Sequence, residues 1–360
     1  MASPPKSEYG TKLQAALNQV PSIIKCAEGV APNIDQVQMV SSGTGYSFMQ
    51  EVLLRWINAE ARDLRGYAFM SAEYAIAPPK STGDRTLLIT TSVSGTTEDA
   101  LLALAAVKGR VRHTVAFIGK DQSSIAENSP TVYTAAGAID PYVANCLQML
   151  VFIGKLLEIK EGWGGMPQLL ASLPHFAAAC DAAGRNSDEQ AKCDAARFKD
   201  NDKMMFAAAG FAQQASFVIA DCNMTEKLGV TTMSVEAARF MHGPQELVPR
   251  GITVILVLGE DKYQPLMGPV QKLCADHGKE NMAVYSTRDM EMPGIAEKMR
   301  GLLGPLVLRT ALKRFVSHLA EANQKDLDFR YLYGKTSYTV AEHGGFNLPE
   351  AGGAGFLGKT

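Results

Sequence analysis

Thr86-Leu87-Leu88-Ile89-Thr90-Thr91-Ser92-Val93-Ser94-Gly95-Thr96-Thr97-Glu98-Asp99 passes from an apolar strand pattern, through a hydroxyl-rich turn, into the acidic start of a helical stretch read over 97–107. A short apolar run feeding straight into a helix is the βα unit of a parallel sheet. Between Thr91 and Thr97 there are five hydroxyls in seven residues, more than a helix cap alone requires. Hydroxyls and unsatisfied backbone N–H groups at the positive end of a helix stabilise a phosphate. Gly95 lets the backbone approach such an anion closely. No GxxxxGK[ST] pattern is present, so this is not a nucleoside-triphosphate loop. Neutral hydroxyls suit a small sugar phosphate, with a hydroxyl-rich cap as the competing explanation. Ser41-Ser42-Gly43-Thr44-Gly45 also follows an apolar strand and precedes a helix. Both loops then fall at the C-terminal strand edge, where open parallel sheets bind ligands. Ser42, Gly43 and Thr44 are therefore candidates beside the first loop, and a tight strand-to-helix turn explains them equally well.

Outward from these loops the chain repeats itself. Met39-Val40-Ser41 has a counterpart in Met205-Phe206-Ala207, Leu87-Leu88-Ile89 in Val254-Ile255-Leu256, Thr114-Val115-Ala116 in Met282-Ala283-Val284, and Ile125-Ala126-Glu127 in Ile295-Ala296-Glu297. Four matches in order, at offsets between 166 and 170, indicate a duplicated domain. Strands are expected near 36–42, 66–71, 86–92 and 112–118, then near 203–208, 231–235, 252–258 and 281–286. Helices are expected near 46–63, 97–107 and 141–160, then near 211–227, 263–277, 292–303 and 304–324. The fold class is α/β: two tandem lobes, each a parallel sheet flanked by helices, with a helical connector and a C-terminal helix. The lobes are placed at 20–160 and 201–325, the connector at 161–200 and a tail at 326–360, with fraying expected from Gly344 to Thr360.

The 360 residues have room for about two domains at roughly 150 residues each. At 46% hydrophobic and 20% charged the chain can bury a full core and is not of disordered composition. Lys and Arg total 35 against 37 Asp and Glu, a balance that argues against nucleic-acid binding. No apolar run is read as approaching the roughly 18 residues of a membrane span. Met1-Ala2-Ser3-Pro4-Pro5-Lys6 lacks a signal-peptide pattern. Six cysteines without CxxC spacing read as reduced, mostly buried thiols of a cytoplasmic protein, and no zinc site is expected from them.

The second half carries Glu226 and, sixteen residues on, His242-Gly243-Pro244. His242 ends a segment, Ser234 to Met241, that could be helical, and Pro244 forces an extended or turn conformation at Gly243. Proton transfer on a sugar needs one group to take a proton from carbon and another to protonate or polarise oxygen. Glu and His can fill those roles in a cleft. A surface histidine at a helix end is the plain alternative.

Ser92-Val93-Ser94-Gly95-Thr96-Thr97 resembles the SxSGxT phosphate loop of the sugar isomerase (SIS) domain family, and the duplicated α/β layout is similar over roughly residues 20 to 325. The resemblance implies phosphate contacts at Ser92, Ser94 and Thr97 and at the Val93 backbone. Val93 stands where the glucosamine-6-phosphate synthase isomerase domain has glutamine, and Asn223 where it has lysine; both departures weaken a synthase reading. The Glu226/His242-Gly243-Pro244 spacing resembles that isomerase domain and the fructosamine-6-phosphate deglycases. It implies Glu226 as catalytic carboxylate and His242 as partner acid/base, contributed from a second subunit of a homodimer or larger homo-oligomer. Asp328-Phe329-Arg330-Tyr331-Leu332-Tyr333-Gly334-Lys335-Thr336 is similar to the aromatic tail of the deglycases, with Lys335 matching a C-terminal active-site lysine of the synthase. An aromatic tail packed on a neighbour explains the segment as well. No cofactor, metal, nucleic acid or membrane is implied; the expected ligand is a small sugar phosphate. Three activities remain open: a deglycase acting on a fructosamine 6-phosphate, another hexose-phosphate isomerase or amino-sugar deaminase, and a non-catalytic sugar-phosphate sensor. Against the sensor, residues 1–35 are too short for a helix-turn-helix.

Overall fold

The computed structural model describes residues 8–333 and 335, so Thr336 and the expected fraying from Gly344 lie outside the described residues. Two compact units are present, one spanning Glu8–Leu170 and the other beginning at Ala171. Each carries its own parallel sheet, as the duplicated pattern predicts.

In the first lobe, α1 (Glu8–Leu17) and α2 (Val20–Val30) lead into β1 (Gln36–Ser41). A π-helical turn, Gly45–Gln50, then opens α3 (Glu51–Glu60), followed by β2 (Arg65–Met70), α4 (Ser71–Ile76) and β3 (Thr86–Ser92). α5 (Glu98–Ala106), β4 (His113–Ile118), α6 (Ser124–Glu127), β5 (Thr131–Thr134) and α7 (Pro141–Glu161) complete it. The sheet order is β2-β1-β3-β4-β5, all parallel. β1 and β3 are buried at every residue, as strands covered on both faces must be. β5 was not expected: TVYT is short and only half covered, and only its pairing with β4 makes it a strand.

α7 corrects the reading that no apolar run reaches membrane length. It has 21 residues and an 18-residue window of mean hydropathy 1.4, but 78% of that window is buried within the protein. Its apolarity serves the core, where Leu147, Phe152 and Leu157 are fully covered. Gln148 on the same helix donates to the carbonyls of Ala16 (3.0 Å) and Thr134 (2.9 Å), tying α1 and β5 to it.

α8 (Met166–Ser172) leads onward to α9 (Phe176–Asn186) and α10 (Asp188–Phe198). The second lobe then runs β6 (Lys203–Ala208), α11 (Gln213–Phe217) with its π-helical continuation Val218–Leu228, β7 (Thr231–Glu236), α12 (Ala237–Phe240) and a 3₁₀ segment Pro244–Arg250. β8 (Thr253–Leu258), α13 (Met267–His277), β9 (Met282–Ser286) and α14 (Glu297–Ala322) follow. The sheet order is β7-β6-β8-β9, again parallel. Two expectations are corrected here. The segment Ser234–Met241 is not one helix: β7 runs to Glu236, whose side chain accepts from the backbone N–H groups of Ala238 and Arg239 and starts the single turn of α12. The break placed between 303 and 304, at Gly304-Pro305, does not occur; α14 runs through Pro305 for 26 residues. A proline inside a helix removes one backbone hydrogen bond, and the burial of α14 along Leu302–Leu308 outweighs that loss. All six cysteines are free; Cys146, Cys180 and Cys274 are buried and Cys193 is exposed.

Asp188, at the start of α10, accepts from Arg314 Nε (2.6 Å) and lies 2.9 Å from His318 Nε2, both on α14. Arg314, and then His318, hold the Asp188 carboxyl below its ordinary range, against the opposing effect of partial burial. A depressed carboxyl contributes stability above its unfolded value, about pH 4, and loses it as pH falls through the folded value. Asp188→Asn is therefore expected to flatten the acid limb of thermal stability below about pH 4. Melting curves between pH 3 and 7 check this, and an acid limb as steep as wild type contradicts it.

Candidate active site

In the first lobe the sheet grows outward from β1 in both directions, with β2 on one side and β3 on the other. The loops after β1 and β3 leave the sheet at this switch point, where open α/β sheets form their ligand crevice. Two buried hydroxyls stitch them together: Thr91 Oγ1 donates to Ser41 Oγ at 2.8 Å, and Ser41 Oγ donates to the Thr91 carbonyl at 2.7 Å. Ser42 adds a third tie, donating to Asp99 Oδ2 at 3.1 Å. Gly43, at φ +52°, turns the chain, and the Gly45 N–H closes back on the Ser42 carbonyl at 3.1 Å. A side chain at Gly45 would collide with the Ser41 and Thr91 hydroxyls. The candidates Ser42, Gly43 and Thr44 are thus joined to the hydroxyl loop by Ser41, Thr91 and Asp99.

Ser92, Ser94 and Thr97 come together as their spacing predicts. Ser92 Oγ accepts the Gly95 N–H at 2.9 Å and lies 2.8 Å from Thr97 Oγ1 and 3.3 Å from Ser94 Oγ. Ser94 Oγ accepts the Thr96 N–H at 3.2 Å, and Ser94 itself is exposed. Gly95, at φ +71°, makes the turn, and its carbonyl accepts the Ile125 N–H at 2.9 Å. The loop is braced from behind by the next strand. Gly119 donates to the Ser92 carbonyl at 3.1 Å, and a Cβ at Gly119 would strike the Val93 carbonyl. Thr97 precedes α5 in an extended conformation, which sets the hydroxyl cluster at the start of that helix. The result is a mutually hydrogen-bonded cluster of neutral hydroxyls. On a phosphate-binding reading of this loop, Gly119→Ala is expected to push Val93 forward, weakening phosphate binding at least tenfold, a difference of about 1.4 kcal/mol, and lowering the melting temperature. Phosphate titration by calorimetry checks it, and unchanged affinity would show that the Gly119–Val93 approach does not shape the loop.

The second lobe has the same switch point, between β6 and β8, but fills it differently. After β8 come Gly259, Glu260 and Asp261. Asp261 Oδ2 accepts the Phe211 N–H at 2.7 Å from the loop after β6, and Oδ1 accepts the Tyr263 N–H at 2.8 Å. Gly210, at φ +57°, leaves the space that the Asp261 carboxylate occupies. Glu260 pairs with Arg300 at 3.0 Å. A carboxylate of the chain itself thus takes the backbone donors there, whereas the first lobe presents hydroxyls to solvent.

Glu226 lies near the end of the π-helical stretch Val218–Leu228, a widened geometry often kept at functional positions. Its Oε1 accepts from Arg330 Nε at 2.7 Å. Asn223, which stands at the position matching the synthase lysine, is buried and donates to the Val218 carbonyl at 2.7 Å. Asp221, earlier in the same stretch, has its carboxyl pushed up by burial. His242 is exposed at the corner between α12 and the 3₁₀ segment, where Gly243 adopts φ 141°. Lys335 rests its ammonium over the Phe329 ring, 4.5 Å from the centroid, and Phe329 meets Tyr331 edge-on at 4.9 Å. Among the described residues the cation paired with Glu226 is Arg330. Glu226, His242 and Lys335 all belong to the second lobe and the hydroxyl loop to the first.

The residues that sequence reasoning did not single out are Arg330, Asp261, Ser41, Thr91 and Gly119. Arg330 stands inside the quoted aromatic tail, but nothing in the tail marks its partner 104 positions away. Asp261 had a usable signal, an acid directly after a strand at the position matching the hydroxyl loop.

No family model matches the chain. Among curated proteins it is 28% identical over 341 residues to an agropine synthesis conjugase from Rhizobium rhizogenes, covering 92% of this chain and 95% of that one. It is 23% identical over 309 residues to the fructosamine deglycase FrlB of Bacillus subtilis, covering 85% and 93%. Among solved structures, one from Bacillus subtilis described as a phosphosugar isomerase superposes with a TM-score of 0.80 at 22% identity, covering 90% of this chain and 99% of that one. The C-terminal domain of glucosamine-fructose-6-phosphate aminotransferase from Francisella tularensis gives 0.74 at 15% identity, covering 89% and 96%. The chain has the SIS fold of the phosphosugar isomerases, and its curated relatives include deglycases along most of its length.

Proposed function

We propose that the chain acts on the bond between C1 of a hexose 6-phosphate and an amine, as a fructosamine-6-phosphate deglycase. The observation that carries the reading is the hydroxyl cluster of Ser92, Ser94 and Thr97, open at a helix start, in a chain similar over most of its length to a fructosamine deglycase. The substrate phosphate docks on that cluster with the Val93 backbone, and Ser42, Gly43 and Thr44 border the sugar. The ketone at C2 acidifies the C1 protons. Glu226 removes one to give the enaminol, and His242 donates a proton to the C2 oxygen. Returning a proton to C2 gives the aldimine, and water cleaves it to glucose 6-phosphate and free amine. Lys335, whose ammonium lies over the Phe329 ring, is a further candidate for this site by its resemblance to the synthase lysine.

Every step of this route is reversible, so the same groups can run it in the direction of condensation. The 28% identity to a conjugase, a name that marks joining, favours that second reading. The two differ in direction, not in residues: condensation expels the water that cleavage consumes. Isomerase or deaminase chemistry would use the same enediol logic on fructose 6-phosphate or glucosamine 6-phosphate.

Glucose 6-phosphate release from lysine, asparagine, aspartate and glycine adducts of fructose 6-phosphate tests the proposal. Glu226→Gln is expected to lower turnover by roughly 10²–10⁴-fold; full turnover in that variant refutes the mechanism. Adduct formation from glucose 6-phosphate and an amino acid, without measurable cleavage, selects the conjugating direction. Turnover of fructose 6-phosphate or glucosamine 6-phosphate alone selects isomerase or deaminase chemistry.

The oligomer implied by the resemblance has His242 serving a neighbouring subunit. Mixing inactive Glu226→Gln with inactive His242→Ala, under conditions that exchange subunits, is then expected to restore roughly a quarter of wild-type activity, because half the dimers are mixed and each has one intact site. A mixture as inactive as its parts shows that both groups act from one chain.

A further inference from the structure

We infer that Arg330 is the positioning residue for Glu226, fixing one carboxylate oxygen so that the other faces the substrate carbon. The inference rests on the proposed role of Glu226. The contact is a single bond, Arg330 Nε to Glu226 Oε1 at 2.7 Å, rather than a two-pronged clamp. Among the described residues no hydrogen bond to Glu226 Oε2 is present. A base that must accept a proton needs that oxygen open, and a monodentate partner leaves it so while removing the freedom of the side chain to rotate.

The guanidinium is itself held. Its Nη1 donates to the Leu327 carbonyl at 2.8 Å and to the Phe329 carbonyl at 2.7 Å. Those carbonyls belong to a turn in which the Asp326 side chain accepts the Asp328 N–H at 2.9 Å. The turn follows the end of α14, where the Lys325 N–H returns to the Ala320 carbonyl at 2.9 Å. Arg330 is thus oriented from the main chain of its own turn and projects its Nε–H onto Glu226. The planar, fixed fork of arginine suits this task and a lysine ammonium does not. The Arg330 side chain is 16% exposed and that of Glu226 31%, so the pair is partly shielded while the carboxylate stays reachable.

The test compares wild type, Arg330→Ala, Arg330→Lys, Arg330→Gln and Glu226→Gln in the fructosamine 6-phosphate assay, with melting temperature and phosphate affinity measured on each full-length chain. Arg330→Ala is expected to lower kcat on the order of 10–100-fold, the scale of a misplaced catalytic group, with KM and phosphate affinity near wild type. Arg330→Lys should recover part of the loss, and methylguanidinium should raise the kcat of Arg330→Ala where equal sodium chloride does not. Added to Glu226→Gln, Arg330→Ala should cost nothing further. Wild-type kcat in Arg330→Ala, or a rise in KM alone, overturns the inference. Should Arg330→Ala not fold, Arg330→Gln decides by the same criteria. A wild type silent on every adduct, or a fully active Glu226→Gln, instead fails the functional reading, and the Arg330 role falls with it.

Discussion

A parallel sheet that adds strands on both sides of its first strand must part the two loops that leave the switch point, and the rest of this protein's candidate chemistry depends on how that gap is closed. In the first lobe the Ser41 and Thr91 hydroxyls close it at its base, buried and mutually satisfied. Closing the base with neutral groups sets a hydroxyl-rich rim, Ser42 to Thr44 and Ser92 to Thr97, above it. Gly119 and Gly95 permit the close approaches that hold this rim still. In the second lobe the gap is closed by a charge, Asp261, which takes the donors an anion would need. Duplication produced two crevices, and the residues at their bases have given them different fates.

The second lobe contributes something else. Its long helix after β6 widens into π-helical turns and carries Glu226, and the segment after β7 brings His242 to an exposed corner. On the proposed reading these are the groups that move protons, whereas the first lobe supplies the groups that bind. Arg330 links Glu226 to the turn beyond α14.

Much of this was readable in the sequence where the signal is local. The hydroxyl loop announces itself because strand, turn and helix start lie within fourteen consecutive residues, and the two-lobe layout because four segments recur at nearly one offset. What was not readable depends on partners far along the chain. Thr131–Thr134 becomes a strand only by pairing with β4. Gly304-Pro305 looks like a helix end, but burial on both sides carries α14 through it. Pro141–Glu161 has the composition of a membrane span and is instead covered by the rest of its lobe. The Arg330–Glu226 contact joins residues 104 positions apart, beyond any local pattern.

The central claim is that the two switch points differ: the first takes a phosphate and the second is already occupied by Asp261. Backbone amide chemical shifts, followed while glucose 6-phosphate is titrated into isotope-labelled protein, test it directly. The account predicts saturable shifts at Ser94 to Thr97 and at Gly43 to Gly45, with Phe211 and Tyr263 unmoved. Shifts at Phe211 and Tyr263, with the Ser94 to Thr97 loop silent, would contradict it.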